Sequence, residues 1–269
     1  MTQTVTGKRG AWLRRFHHAA PQDAPVLVVL PHAGGSASHY RALSAALATR
    51  VEVQAVQYPG RQDRYREEPC TDLHLLARGV ADALEPLAGR RLALFGHSMG
   101  ALVAFETTRL LERRSRPVES LFVSARRAPA QPSPERVHRL DDTGLLAEMR
   151  ALGGTDERLL REPELLSLYL PVVRADYRAL ETYTHDPDAT VNVPVTAFAG
   201  SSDPRVTAED MSAWRRHTTR RFGIHVFPGG HFYVDEQTAA VADVLASPLG
   251  GKVEDVRASA GGRQSLTGA

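Results

Sequence analysis

Residues 91–105 read RLALFGHSMGALVAF, and this stretch decides the fold. RLALF is a short apolar run of the kind that forms a strand buried on both faces. ALVAFE opens a helical pattern that continues to about Arg114. Between them Gly96-His97-Ser98-Met99-Gly100 matches G-x-S-x-G, with a strand before it and a helix after it. That context turns a common pentapeptide into a nucleophile elbow. A side chain at Gly96 or Gly100 would crowd the neighbouring backbone, and the tight turn lifts the Ser98 hydroxyl above the sheet. The Met99 amide then lies at a helix N-terminus, where backbone donors can hold a developing oxyanion.

Working outward, the same strand–helix alternation recurs. Strands are expected at Ala24–Leu30, Val51–Gln57, Ser120–Ser124, Val195–Ala199 and Gly223–Phe227. Helices are expected near residues 40–48, 72–87, 208–217 and 236–246, with Thr71 or Asp72 capping the second. Such alternation predicts an α/β fold with a mostly parallel central sheet and helices on both faces. Between about 131 and 185 the rhythm breaks into leucine-rich helical sequence, expected to be a helical insertion. Residues 11–247 are therefore read as one domain, and 248–269, rich in Gly, Ser and Ala, as a disordered tail.

A serine hydroxyl is a weak nucleophile until a base takes its proton. On this fold an acid and then a histidine should follow the serine. Asp203 lies in the loop after Val195–Ala199, and His231 in Gly229-Gly230-His231-Phe232 after the last strand. Asp186 and Asp188, before the strand, are rival acids. His97, next to the nucleophile on a strained turn, should point elsewhere. The loop Pro31-His32-Ala33-Gly34-Gly35 after the first strand is expected to supply the second oxyanion donor, the Ala33 amide.

The chain of 269 residues is 42% hydrophobic, 24% charged and carries a formal charge of +2, which excludes wholesale disorder. Cys70 is its one cysteine, so neither an intrachain disulfide nor a cysteine-cluster metal site is expected. All but two of the 33 basic residues are arginine, scattered without a basic stripe, so nucleic acid is not an expected partner. No run of about 18 apolar residues predicts a membrane span. A cytoplasmic monomer is expected.

The segments LPHAGGSASHYRAL (30–43), VQYPGRQDR (56–64), FGHSMGALVAFE (95–106), LPVVRADYRALETY (170–183) and FPGGHFYV (227–234) resemble the type II thioesterases of polyketide and nonribosomal peptide synthesis. The resemblance covers about residues 11–247 and implies an α/β-hydrolase fold with a helical lid. It also implies hydrolysis of acyl groups from the phosphopantetheine arm of acyl or peptidyl carrier proteins, through an acyl-Ser98 intermediate and without a cofactor of the enzyme's own. Editing of stalled or misprimed synthases is the leading reading, product release or cyclisation the first alternative, and a general carboxylesterase or a non-catalytic carrier-binding protein stands behind both. Leu145, Leu146, Met149, Leu165, Leu168, Leu170 and Tyr177 are expected to wall an apolar acyl pocket, with Met149, Leu168 and Tyr177 as substrate contacts. Arg61, Arg64 and Arg127 are expected near the site mouth, to dock an acidic carrier. Ala125 stands where many relatives carry glycine and is not expected to touch chemistry.

Overall fold

The computed structural model describes residues 11–131, 135–153 and 162–249. One seven-stranded sheet runs in the order β1-β3-β2-β4-β5-β6-β7. The strands are β1 (Leu13–Arg14), β2 (Val26–Leu30), β3 (Glu52–Val56), β4 (Leu92–His97), β5 (Ser120–Ser124), β6 (Val195–Gly200) and β7 (Phe222–Phe227). All pairs are parallel except β1–β3, where Leu13 opposes Val56. Two residues of β1 are too short to leave a period-2 pattern, so this strand had no expectation in the sequence. The VLVVL of β2 is fully buried, as a strand covered on both faces requires.

On one face α2 (Leu73–Ala83) and α3 (Met99–Arg113) bury Leu76, Val80, Leu102 and Phe105 together with Trp12 and Trp214. On the other, α1 (Arg41–Leu47) and α8 (Thr238–Ala246) close over Leu27, Val29, Phe95 and Phe198. Asp72 caps α2, its carboxylate accepting the His74 and Leu75 amides at 2.8 and 3.1 Å. That satisfies two of the first-turn donors a helix leaves open.

Between β5 and β6 lie α4 (Asp142–Leu152) and α5 (Pro163–Glu181), with α6 (Ala208–Ser212) and α7 (Tyr233–Glu236) following later in the chain. α4 and α5 share a small core of their own: Val137, Leu145, Met149, Leu170 and Val173. The helical insertion is present within the described residues, whereas the expected tail beyond Leu249 lies outside them.

The strand order positions the site. β2 leads outward to β3, and the chain then returns across β2 to β4. Loops after the adjacent β2 and β4 therefore leave in opposite directions and open a crevice at the carboxyl ends of the strands. Leu30 pairs with Gly96, so the Pro31–Gly35 loop and the Ser98 turn are neighbours.

Candidate active site

Ser98 sits at the corner between β4 and α3 with φ 54° and ψ −118°, a strained region for a residue with a side chain. Packing enforces the corner. A Cβ on Gly96 would lie 2.0 Å from the Gly100 carbonyl oxygen, and one on Gly100 would lie 2.0 Å from that of Leu30. The Ser98 amide donates to the Ser124 carbonyl at 2.8 Å, tying the turn to β5. Met99 is the first residue of α3, so its amide belongs to the open N-terminus of that helix.

The adjacent strands β6 and β7 deliver Asp203 and His231. His231 Nδ1 lies 2.8 Å from Asp203 Oδ2. Asp203 Oδ1 accepts the backbone amides of Arg205 at 2.8 Å and Val206 at 3.3 Å. Both side chains of the pair are almost fully buried. Ala33, Ser98 and His231 line one narrow cavity of about 50 Å³. The rival Asp186 instead pairs with Arg109 at 3.0 Å, and Asp188 is exposed.

Residues 25–247 match the thioesterase domain family. Thioesterase PikA5 of Streptomyces venezuelae is 50% identical over 244 residues, covering 89% of this chain and 86% of PikA5. BorB, the type II thioesterase from the borrelidin biosynthetic cluster, superposes with a TM-score of 0.82 at 44% identity, covering 89% of this chain and 98% of BorB. YbtT, a type II thioesterase from the yersiniabactin NRPS/PKS pathway, gives 0.82 at 34% identity over 89% and 98%. The chain belongs to the type II thioesterases of polyketide and nonribosomal peptide synthesis. Its sheet is that of the α/β-hydrolases, and it is a thioester hydrolase.

The wall of the thioesterase's cavity differs from the apolar one expected. Val137, Leu152, Tyr177 and Leu180 line it, but so do Arg126, Arg127, Glu135, Glu148, Glu181 and Arg205. Arg205 bonds Glu148 of α4, and Arg127 reaches Glu135 at 3.3 Å. Burial pushes the Arg126 guanidinium down to about 10, Glu135 opposing and Arg127 reinforcing the shift. Ala125, in the left-handed region at φ 49°, also lines the cavity, although the sequence suggested it stood apart from the chemistry.

Of the three expected substrate contacts, only Tyr177 reaches the cavity. Met149 is buried in the core shared by α4 and α5. Leu168 is 67% exposed near the N-terminal end of α5, although it shares a helical stripe with the buried Val172, Ala175 and Ala179, and Leu165 is also exposed. The docking arginines need a similar correction. Arg61 and Arg64 are only 5% and 3% exposed. Arg61 is bidentate to Asp176, and Arg64 bonds Glu67 and the Gln57 carbonyl, so neither is available to a partner surface. Arg127 is half-buried and paired with Glu135 and Asp210.

His97 does turn away from the cavity. It is fully buried, with Nδ1 2.8 Å from Ser124 Oγ, which in turn contacts the Tyr233 hydroxyl at 2.5 Å. Its ring packs 5.3 Å from that of His231. Burial, reinforced by the imidazoles of His231, His32 and His39, holds His97 well below the usual histidine range. His32 is held down in the same way, by burial first and then by His39, His231 and Arg61.

Two features were not foreseen. One is the charged cavity wall. The other is Asp176, which lies inside LPVVRADYRALETY but received no role. A signal existed for it: an acid flanked on one helical face by Val172, Val173, Ala179 and Leu180 needs a buried partner.

Proposed function

We propose that this thioesterase hydrolyses short acyl groups from the phosphopantetheine arm of carrier proteins, clearing stalled or misprimed synthases through an acyl-Ser98 intermediate. The observation carrying this reading is the strained Ser98 corner opening into the cavity shared with His231 and Ala33, with Asp203 bonded behind His231.

In the proposed sequence Ser98 Oγ attacks the thioester carbonyl carbon while His231 Nε2 takes its proton. Asp203 fixes the tautomer in which Nδ1 carries hydrogen and stabilises the imidazolium. The Ala33 and Met99 amides receive the charge that develops on the carbonyl oxygen. Collapse breaks the C–S bond, and the imidazolium returns its proton to the pantetheine sulfur. A thiol with a pKa of about 8.5 leaves readily, so a serine and an oxyanion hole suffice. Water, deprotonated by His231, then attacks acyl-Ser98, releasing a carboxylic acid and restoring the serine. Side chains, two backbone amides and water supply every step of this route.

The narrow cavity favours editing over release of a finished product. A cavity walled by Arg126, Glu148, Glu181 and Arg205 beside Tyr177 and Leu180 suits a short acyl group better than a long apolar chain. The test is mass spectrometry of carrier proteins loaded with short, long and product-like acyl groups, incubated with wild type or Ser98→Ala. Rapid loss of short acyl groups with wild type alone supports the reading. Equal turnover by Ser98→Ala, or preference for the mature product, overturns it.

A further inference from the structure

Asp176 on α5 is fully buried and makes three hydrogen bonds across more than a hundred residues of chain. Its Oδ2 accepts from Arg61 Nη1 at 2.7 Å and its Oδ1 from Arg61 Nη2 at 2.8 Å. Oδ2 also accepts the Gly34 backbone amide at 2.7 Å. Arg61 Nη1 reaches the Gly35 carbonyl at 3.1 Å, so the pair grips both ends of the Gly34-Gly35 segment. Nearby, Gln57 accepts the Ala37 amide at 2.9 Å and donates to the Arg61 carbonyl at 3.0 Å. The loop after β2 is thus bonded at Gly34, Gly35 and Ala37 to one buried polar group of charges and amides.

The position of these bonds matters for one amide in particular. The His32 carbonyl accepts the Gly35 amide at 2.9 Å. In a planar trans peptide the C=O and N–H point in opposite directions. With the His32 carbonyl turned into the loop, the Ala33 N–H of the same peptide points away from the Gly35 amide, and Ala33 is a residue that lines the cavity. Gly34 has φ 76°, and a Cβ there would lie 2.6 Å from the Tyr169 hydroxyl and 2.9 Å from Val173 Cγ2, both on α5. Gly34 therefore packs against α5 too closely for any side chain to fit between them.

We infer that the buried Arg61–Asp176 pair is the positioning element of the oxyanion hole, and that through Asp176 helix α5 of the insertion sets the direction of the Ala33 amide. The inference rests on the proposed role of Ala33 as an oxyanion donor. Asp176 touches no reacting atom and acts through the Gly34 amide. The same two residues explain the paired segments VQYPGRQDR and LPVVRADYRALETY, which carry the arginine and the aspartate respectively.

The test compares Arg61→Met/Asp176→Leu, Asp176→Asn and Arg61→Lys with wild type in the full chain, using one short acyl-loaded carrier as substrate. Replacing both members of a buried ion pair with apolar residues is often neutral for stability, whereas removing one partner is costly. The double variant leaves no orphaned buried charge, and thermal melting checks that it folds without the bonds to the Gly34 amide and Gly35 carbonyl. Loss of an oxyanion donor lowers kcat by about 10²–10³-fold, so a displaced donor is expected to lower it by at least about tenfold. KM should stay within about threefold, because the contact strengthens only in the transition state. The pH–rate profile should keep its shape at a lower plateau, since Asp203 and His231 are untouched. A variant folded by thermal melting whose kcat equals that of wild type overturns the inference, as does a loss confined to KM. Ser98→Ala, measured beside them, distinguishes the two levels. An active Ser98→Ala defeats the proposed mechanism itself, whereas an inactive one beside wild-type rates in the folded pair variants defeats only the positioning role.

Discussion

Asp203 holds His231 at 2.8 Å through one carboxylate oxygen and is itself held by the Arg205 and Val206 amides through the other. Three donors on one buried carboxylate fix its orientation, and with it the imidazole tautomer. Asp203→Asn replaces an acceptor-only group with an amide that can turn its NH₂ towards His231 Nδ1. The expected loss in kcat is on the order of 10⁴-fold, by analogy with serine proteases. Steady-state kinetics on an acyl-loaded carrier check it. Near-wild-type turnover would redirect the search for the acid to Asp186 or Asp188.

Tyr177 and Leu180 are the large side chains of mainly apolar surface that α5 contributes to the cavity wall, while the charged residues around them make the wall costly to cover. A long acyl chain would have to displace water from the charged groups of Arg126, Arg205 and Glu148 without offering them hydrogen bonds, and desolvating charge is costly. Wild type should therefore favour acetyl or propionyl over octanoyl carriers by at least about tenfold in kcat/KM, since the longer chain strips water from polar groups it cannot hydrogen-bond. Tyr177→Ala opens the cavity and should narrow this ratio by raising the octanoyl rate. A competition assay with mixed acyl carriers reads both quantities, and an unchanged ratio in Tyr177→Ala would remove Tyr177 from the wall of the acyl site.

The positions of the candidate residues Ser98, Asp203 and His231 were legible because each lies in a loop after an apolar strand, and a parallel sheet gathers those loops at one edge. The insertion was legible only as helix. Which face of α5 points inward depends on what it packs against, and the leucine count alone favoured Leu168, which is exposed. The buried face is carried by Leu170, Val173 and Ala179, with Asp176 among them. Arg61 and Asp176 are 115 residues apart, so no local pattern links them. Composition likewise reads an arginine as surface charge until its partner is placed, which is why Arg61 and Arg64 resembled docking residues.

Cys70 provides a control on the chemistry. It is buried, and its thiol donates to the Asp72 carbonyl at 3.3 Å. Burial pushes the thiol up to about 11, the Asp72 backbone contact only partly opposing it. Because the thiolate is the reactive form, Cys70 should be almost inert at neutral pH. Native protein treated with iodoacetamide should keep full activity and show no adduct by mass spectrometry, whereas a fluorophosphonate should modify Ser98 and abolish turnover. Loss of activity in step with Cys70 alkylation would contradict this assignment.

His97 and His32 make the folded state sensitive to acid. Both are buried with their pKa values held well below the ordinary histidine value, and His217 is shifted the same way by burial. In the unfolded chain these rings protonate near pH 6.5, about the ordinary histidine value. Below that pH the unfolded state binds protons that the folded state refuses, so stability falls as pH falls. Each fully excluded proton contributes a slope of about 1.4 kcal/mol per pH unit. Urea unfolding between about pH 7 and about pH 5 should therefore show a steep loss of stability. His97→Asn keeps an acceptor or donor towards Ser124 but cannot titrate, so its slope should be shallower by up to one proton's share, whatever its stability at neutral pH. A slope identical to that of wild type would show that His97 is protonated in the folded protein, and its place in the neutral group behind His231 would have to be abandoned.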